Sequence, residues 1–294
     1  RWCVIYRRLI NMRLLFYKTL WGHEGSIAEA CEQAVAAGFH GIEGAAPIDV
    51  IQQAEWQGLF AAYELDYIAE ITTAGSYVPR RRASITEHLD SFKRKLDASL
   101  SLKPRFITSL AGCDAWPESQ SIEFFGSLMD IAKAAGVVVS FETHRSRSFF
   151  NPWTTMRICE QLPELNLTFD FSHWCVVCER LMDTEMDVLE VLAPQAFHIH
   201  ARIGYDQGPQ VPDPRIPRFR KELESHQNWW HLLWSIMQAR GFCEYTMTPE
   251  FGPDGYQAVD TGSNQPVGDL WQFNQWMAHQ QKQQFEIFAS QAKS

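Results

Sequence analysis

Four short stretches of the sequence concentrate residue types that bind metals or move protons. They are Glu142-Thr-His144, Asp170-Phe-Ser-His173, His198-Ile-His200-Ala-Arg202 and the lone acid of Thr-Pro-Glu250-Phe-Gly. Each comes at the end of a short apolar, β-branched or aromatic run, where a strand would stop. Three carboxylates that face one centre repel each other unless a cation or protons intervene. Three carboxylates and an imidazole make an oxygen-rich set for one divalent ion with room left for substrate oxygens. Manganese, cobalt or magnesium suits it, and zinc is compatible. Taken singly, any of these acids suits a helix cap or a solvated loop, and His198 suits an inner histidine with satisfied hydrogen bonds. Together, at the ends of four successive strands, they read as one site.

The elements that must position these residues follow an alternation of two periodicities. Strands are predicted at Leu14–Tyr17, Gly41–Glu43, Tyr67–Ile71, Arg105–Ser109, Val137–Glu142, Asn166–Asp170, Ala196–His200 and Glu244–Thr248. Helical signals lie between them. Ser26 with Glu29 and Ser84 with Glu87 are capping-box pairs. Ile27, Cys31, Ala34 and Val35 follow the first at helical spacing, and Leu89, Phe92 and Leu96 follow the second. Asn151-Pro152 supplies a cap and a first-turn proline before Thr155–Leu162. Gly38, Gly136 and Gly241 stop helices, the last two after Phe124–Ala135 and Trp229–Ala239, and Leu270–Ala289 closes the chain. Eight strand–helix units without an inserted domain predict a single α/β domain over residues 1–294, a (β/α)8 TIM barrel whose site lies at the C-terminal strand ends. An open doubly wound sheet usually carries a phosphate loop after its first strand, and Lys18–Ser26 fits neither glycine-rich pattern.

Composition narrows the function classes. Of 294 residues, 46% are hydrophobic, and the formal charge is −9, which disfavours binding to nucleic-acid backbones. No apolar run is long enough for a spanning helix, and no membrane partner is expected. Residues 1–11 read as a leader ahead of Met12, and a cytoplasmic location is expected. The seven cysteines form an odd, scattered set, and the Cys175-x-x-Cys178 pair lacks the second pair of a zinc ribbon, so they read as structural. Asn166-Leu-Thr168 is a chance match to a glycosylation pattern.

The order Glu, Asp-x-x-His, His-x-His, Glu along strands five to eight resembles the xylose-isomerase-like barrel superfamily, in its sugar isomerase/epimerase branch. The resemblance runs from about Met12 to Ala289. It implies that Glu142, Asp170, His200 and Glu250 hold the metal, and that Glu142 and Glu250 also act as the acid–base pair. His173 then contacts substrate oxygens. Arg202, His144 and Trp21 are further substrate-binding candidates, although Arg202 follows His200 more closely than the corresponding arginine of keto-sugar epimerases. The implied reaction is metal-dependent isomerisation or epimerisation of a ketose or related polyol through an enediolate. A keto-polyol dehydratase or lyase, or a non-catalytic metal- and sugar-binding barrel, are the alternatives. The same superfamily contains three-zinc DNA-repair endonucleases. Their extra ligands are missing here, because strands two to four end in Glu43-Gly, Glu70-Ile-Thr-Thr and Ser109-Leu-Ala-Gly, and no Asp-x-His follows His200.

Other rim residues are candidates for shaping the site. Trp21, Trp116, Trp153 and Trp174 could stack on a sugar ring. Lys18, His23, Glu43 and His144 are polar residues at strand ends. The proline-rich loop Ala201–Phe219 is expected to form a wall or lid. Arg80-Arg81-Arg82 reads as a solvated first turn in preference to a phosphate site. Association into homo-oligomers is compatible with the resemblance.

Overall fold

The computed structural model describes residues 12–253 and 255–291, so the proposed leader and Cys3 lie outside the described residues. Eight parallel strands close into a barrel in chain order. They are β1 (Arg13–Thr19), β2 (Gly41–Gly44), β3 (Asp66–Thr72), β4 (Phe106–Leu110), β5 (Val139–Glu142), β6 (Asn166–Phe169), β7 (Ala196–Ala201) and β8 (Glu244–Pro249). Pairing of Arg13 to Phe16 with Glu244 to Met247 closes the ring. Every strand begins and ends within two residues of its expected bounds.

The helices show where sequence signals work and where they fade. In α1 (Ile27–Ala36) the capping box of Ser26 and Glu29 forms, and Cys31 and Ala34 are buried. Val35, expected on that inner face, is instead 48% exposed. The second capping box opens α3 (Ile85–Leu100), and Asn151 caps α5 (Pro152–Gln161) with proline in its first turn. Gly136 ends α4 (Glu118–Ala135) in the left-handed conformation that glycine adopts without a Cβ penalty. That helix starts six residues ahead of its expected Phe124, and α8 (Arg220–Ala239) starts nine ahead of Trp229, because their first turns carry little apolar patterning. α2 (Val50–Ala62) escapes the sequence reading for the same reason: Phe60 is its sole buried residue, and Val50 and Ile51 face solvent. Two short helices, α6 (Phe171–Val177) and α7 (Met186–Leu192), were also not expected, and α9 (Leu270–Gln291) runs two residues past Ala289.

Outward strand residues and the inner helix faces form one large apolar core, which includes the buried Trp174, Trp229, Trp230 and Trp234. The barrel interior is layered. Arg105 joins Asp66 and Glu244 at the bottom. Leu15, Tyr17, Ile68 and Phe106 fill the next level. Hydroxyls follow, with Thr168 donating to Ser140 at 2.8 Å and lying 3.3 Å from Thr108. Metal-type side chains occupy the top.

Close packing in the interior depends on Gly41. A Cβ there would stand 2.3 Å from the Asp66 carbonyl and 2.6 Å from the Tyr17 ring. Gly41→Ala should therefore destabilise the fold by about 1–3 kcal/mol. Urea unfolding should show a lower midpoint at unchanged slope.

Candidate active site

The strand alternation sends Glu142, Asp170, His200 and Glu250 to one point at the C-terminal mouth. One ligand atom from each lies within 4.8 Å of all the others, and all four side chains are buried. His200 Nδ1 is 3.2 Å from a Glu250 oxygen and 3.5 Å from a Glu142 oxygen, yet it makes no well-formed hydrogen bond among the described residues. Such spacings match neighbouring ligands on one ion, about 3 Å apart for bonds of about 2.1 Å. An orphaned imidazole nitrogen aimed at buried carboxylates fits a divalent cation.

Electrostatics give the same answer. Burial raises Glu142 to about 7, with Glu250 and Asp170 adding to the shift against the opposing pull of His200. Asp170 is also raised, by burial first. Burial alone would lower His200, but Glu250, Glu43 and Glu142 outweigh it and hold the imidazole well above its usual range. Without a metal, a proton on His200 neutralises the cluster, and a divalent ion would take its place.

Glu43, at the end of β2, fixes the imidazole from behind. Its Oε1 accepts from His200 Nε2 at 3.0 Å, so Nδ1 is the atom left for a ligand bond. Its Oε2 accepts from the Thr248 hydroxyl and lies 3.2 Å from His198 Nε2, and His198 Nδ1 meets Thr246 at 2.7 Å. His198 is thus the satisfied inner histidine expected. Burial pushes the Glu43 carboxyl up, but the two histidines outweigh it and hold it well below the usual carboxylate range.

Arg202 is also buried here. Its Nη2 donates to Asp170 at 2.5 Å and approaches His173 Nε2 at 2.7 Å, and its Nε donates to Ser172 at 3.0 Å. The guanidinium lies 4.9 Å from the Tyr256 ring centroid and 5.3 Å from that of Trp21. His173 is wholly buried behind it and is not among the residues lining the cavity described next. Burial, with His144 and Arg202 adding, lowers His173 well below its usual range, so it is a neutral acceptor. His144 packs against it at 3.9 Å between ring centroids and is likewise held neutral, by burial and then by Arg147.

Beside the four converging ligands is a cavity of about 320 Å³. Glu142, Glu250, His144 and Arg202 line one side, and Trp21, Trp56, Tyr77 and Tyr256 supply aromatic walls. Of the four tryptophans singled out in the sequence, Trp21 lines it. Trp116 packs on His88, Trp153 lies under Arg180, and Trp174 is in the core. Lys18 and His23 line a separate cavity of about 390 Å³ beyond Trp21. Lys18 faces outward there, its Nζ 4.1 Å from the Trp271 ring centroid. Arg80 pairs with Glu87 at the surface and does not reach the site. In the proline-rich loop, Gln210 is buried and exchanges hydrogen bonds with the Gly252 backbone, and residues 203–219 do not line this cavity. Cys175 and Cys178 are free thiols.

The model of the xylose isomerase-like TIM barrel matches residues 31–266. The chain belongs to this family. Among curated proteins no sequence match is found. Similar solved structures of the xylose isomerase-like kind include a D-tagatose 3-epimerase-like protein, with TM-score 0.64 and 12% identity, covering 96% of this chain and 100% of that one. The D-allulose 3-epimerase from Methylomonas sp., in complex with D-allulose, gives 0.62 and 14%, covering 93% and 98%. An AP endonuclease, family 2, from Brucella melitensis gives 0.59 and 17%, covering 90% and 98%. At these identities the likeness shows the fold.

Two outcomes follow from the site. Glu43→Gln removes the anion that orients His200 and should weaken divalent-ion binding by about 10-fold to 100-fold, measured by competition with a chelating dye. The second is a pH dependence. A carboxyl raised in the fold stabilises it below its unfolded pKa and loses that contribution as pH climbs to the folded value. Glu142 and Glu70 therefore lose stabilising protons between 4.5 and about 7 and about 8 respectively. The buried neutral histidines act in the opposite sense, but only below 6.5. The unfolding midpoint of metal-free protein should thus fall between pH 6.5 and about 8, and saturating manganese should reverse the trend.

Proposed function

We propose that the protein is a divalent-metal-dependent sugar isomerase or epimerase acting on a ketose or related polyol. The observation that carries this reading is the convergence of Glu142 and Glu250 with Asp170 and His200 beside an aromatic-walled cavity. Glu142, Asp170, His200 and Glu250 would hold the ion, which would supply the charge that polarises a carbonyl and acidifies the neighbouring C–H.

The remaining chemistry belongs to the chain. Glu142 ends β5 and Glu250 follows β8, so the two carboxyls enter from strands set apart around the rim. One removes a proton from carbon and the other returns it, which inverts a centre when they act on opposite faces. Transfer by a single carboxyl between adjacent carbons would give aldose–ketose isomerisation. Trp21, Tyr77 and Tyr256 offer ring faces to the apolar side of a sugar. Arg202 and His144 present a donor and an acceptor to its oxygens. His173 Nε2 lies 2.7 Å from the Arg202 guanidinium and would help to position it.

The test is incorporation of solvent deuterium into ketoses by the manganese-loaded protein. Wild type should exchange a carbon-bound hydrogen, and Glu250→Gln should slow that by about 100-fold to 10,000-fold while part of the metal is retained. Undiminished exchange in the variant would remove Glu250 from the acid–base pair.

A further inference from the structure

The cavity is lined by two chemically different sets of residues. Glu142, Glu250, His144 and Arg202 make one. Leu20, Ala45, Trp56 and Leu110 belong to the other, and a further charged residue, Glu70, lines the same cavity. Glu70 lies on β3 two positions beyond Ile68, which fills the barrel interior, so the strand alternation also turns Glu70 inward. Among the described residues it enters no hydrogen bond or ion pair. Two cations that feel its charge are committed elsewhere: Lys95 Nζ donates to the Thr72 carbonyl and hydroxyl, each at 2.6 Å, and Arg147 donates to main-chain carbonyls. A carboxyl group left without a partner on a largely apolar wall is costly until a ligand supplies one.

That partner must suit an acid whose proton affinity is raised by burial and by Glu250, Glu142 and Glu43. A hydroxyl does so in either state, since it donates to a carboxylate and accepts from a carboxylic acid. A phosphate or carboxylate beside Glu70 would meet an acidic group, and the one cation among the lining residues, Arg202, is engaged with Asp170.

We propose that Glu70 is the specificity-determining residue of the cavity: it receives a hydroxyl of the substrate and excludes substrates carrying an anionic group beside it. The inference rests on reading the cavity as a sugar site, and it narrows the substrate class to neutral polyols.

Calorimetry on manganese-loaded protein tests it, with D-fructose, D-tagatose and D-allulose as neutral probes and D-fructose 6-phosphate as the anionic one. Wild type should bind a neutral ketose at least about tenfold more tightly than the phosphate. Glu70→Ala should weaken neutral binding about tenfold, the loss expected for a hydrogen bond to a charged group. The isosteric Glu70→Gln should keep most neutral affinity and bind the phosphate better, and both variants should retain the wild-type metal content. Equal neutral affinity in wild type and Glu70→Ala, with metal intact, overturns this inference alone. Preference of wild type for the phosphate also overturns it. If metal-loaded wild type binds none of the neutral ketoses, the sugar-site reading falls and this inference with it.

Discussion

Burying acids at one end of a barrel is the constraint around which the rest of the chain is arranged. Glu43, Glu70, Glu142, Asp170 and Glu250 all reach the C-terminal mouth, and burial opposes ionisation of the first four. An uncompensated cluster of this kind would unfold the domain or neutralise itself with protons. Two features of the chain meet the demand. Arg202 is bound to Asp170 and close to Glu250, and His200 stands between three carboxyls as the group whose proton a divalent ion can replace. The site is therefore poised between a protonated and a metal-loaded state, with the same residues serving both.

The layers beneath keep those residues in place. Thr246 and Thr248 on β8 satisfy His198 and Glu43, and Glu43 in turn fixes the His200 ring. A single inward-facing series of positions, two residues apart on each strand, thus runs from an ion-paired floor through an apolar plug and hydroxyl layers to the metal-type groups. Asp170 doubles as the cap of α6, accepting from Ser172 N at 2.9 Å, so the start of that helix orients a carboxylate of the site.

Much of this was legible in the sequence because short parallel strands place side chains by parity and because the metal-type residues fall at strand ends. The four strand-end stretches could be brought together on paper for that reason, and the choice of Glu142, Asp170, His200 and Glu250 among their residues came from the family resemblance. Its place at a strand end marked Glu43 as a candidate, and the same parity would have distinguished Glu70 as an inward acid, yet a lone glutamate in Ala-Glu-Ile carries no motif. Trp56, Tyr77 and Tyr256 were not legible at all. They come from α2 and from loops far apart in the chain, and their convergence on one cavity is set by tertiary packing. His173 keeps its spacing from Asp170 and is wholly buried against Arg202 and His144.

One further residue gives the cavity wall an unusual freedom. Arg147 is fully buried and donates to the main-chain carbonyls of Thr73, Ser76, Tyr77 and Gly112, tying the loop after β3 to the loops after β4 and β5. At residues 76 and 77 it grips only backbone oxygen, which every amino acid supplies. The path of the loop is therefore insulated from the identity of the side chains it displays. The aromatic at position 77 can drift over evolutionary time, or be replaced by design, without unpicking the clasp that holds it against the cavity.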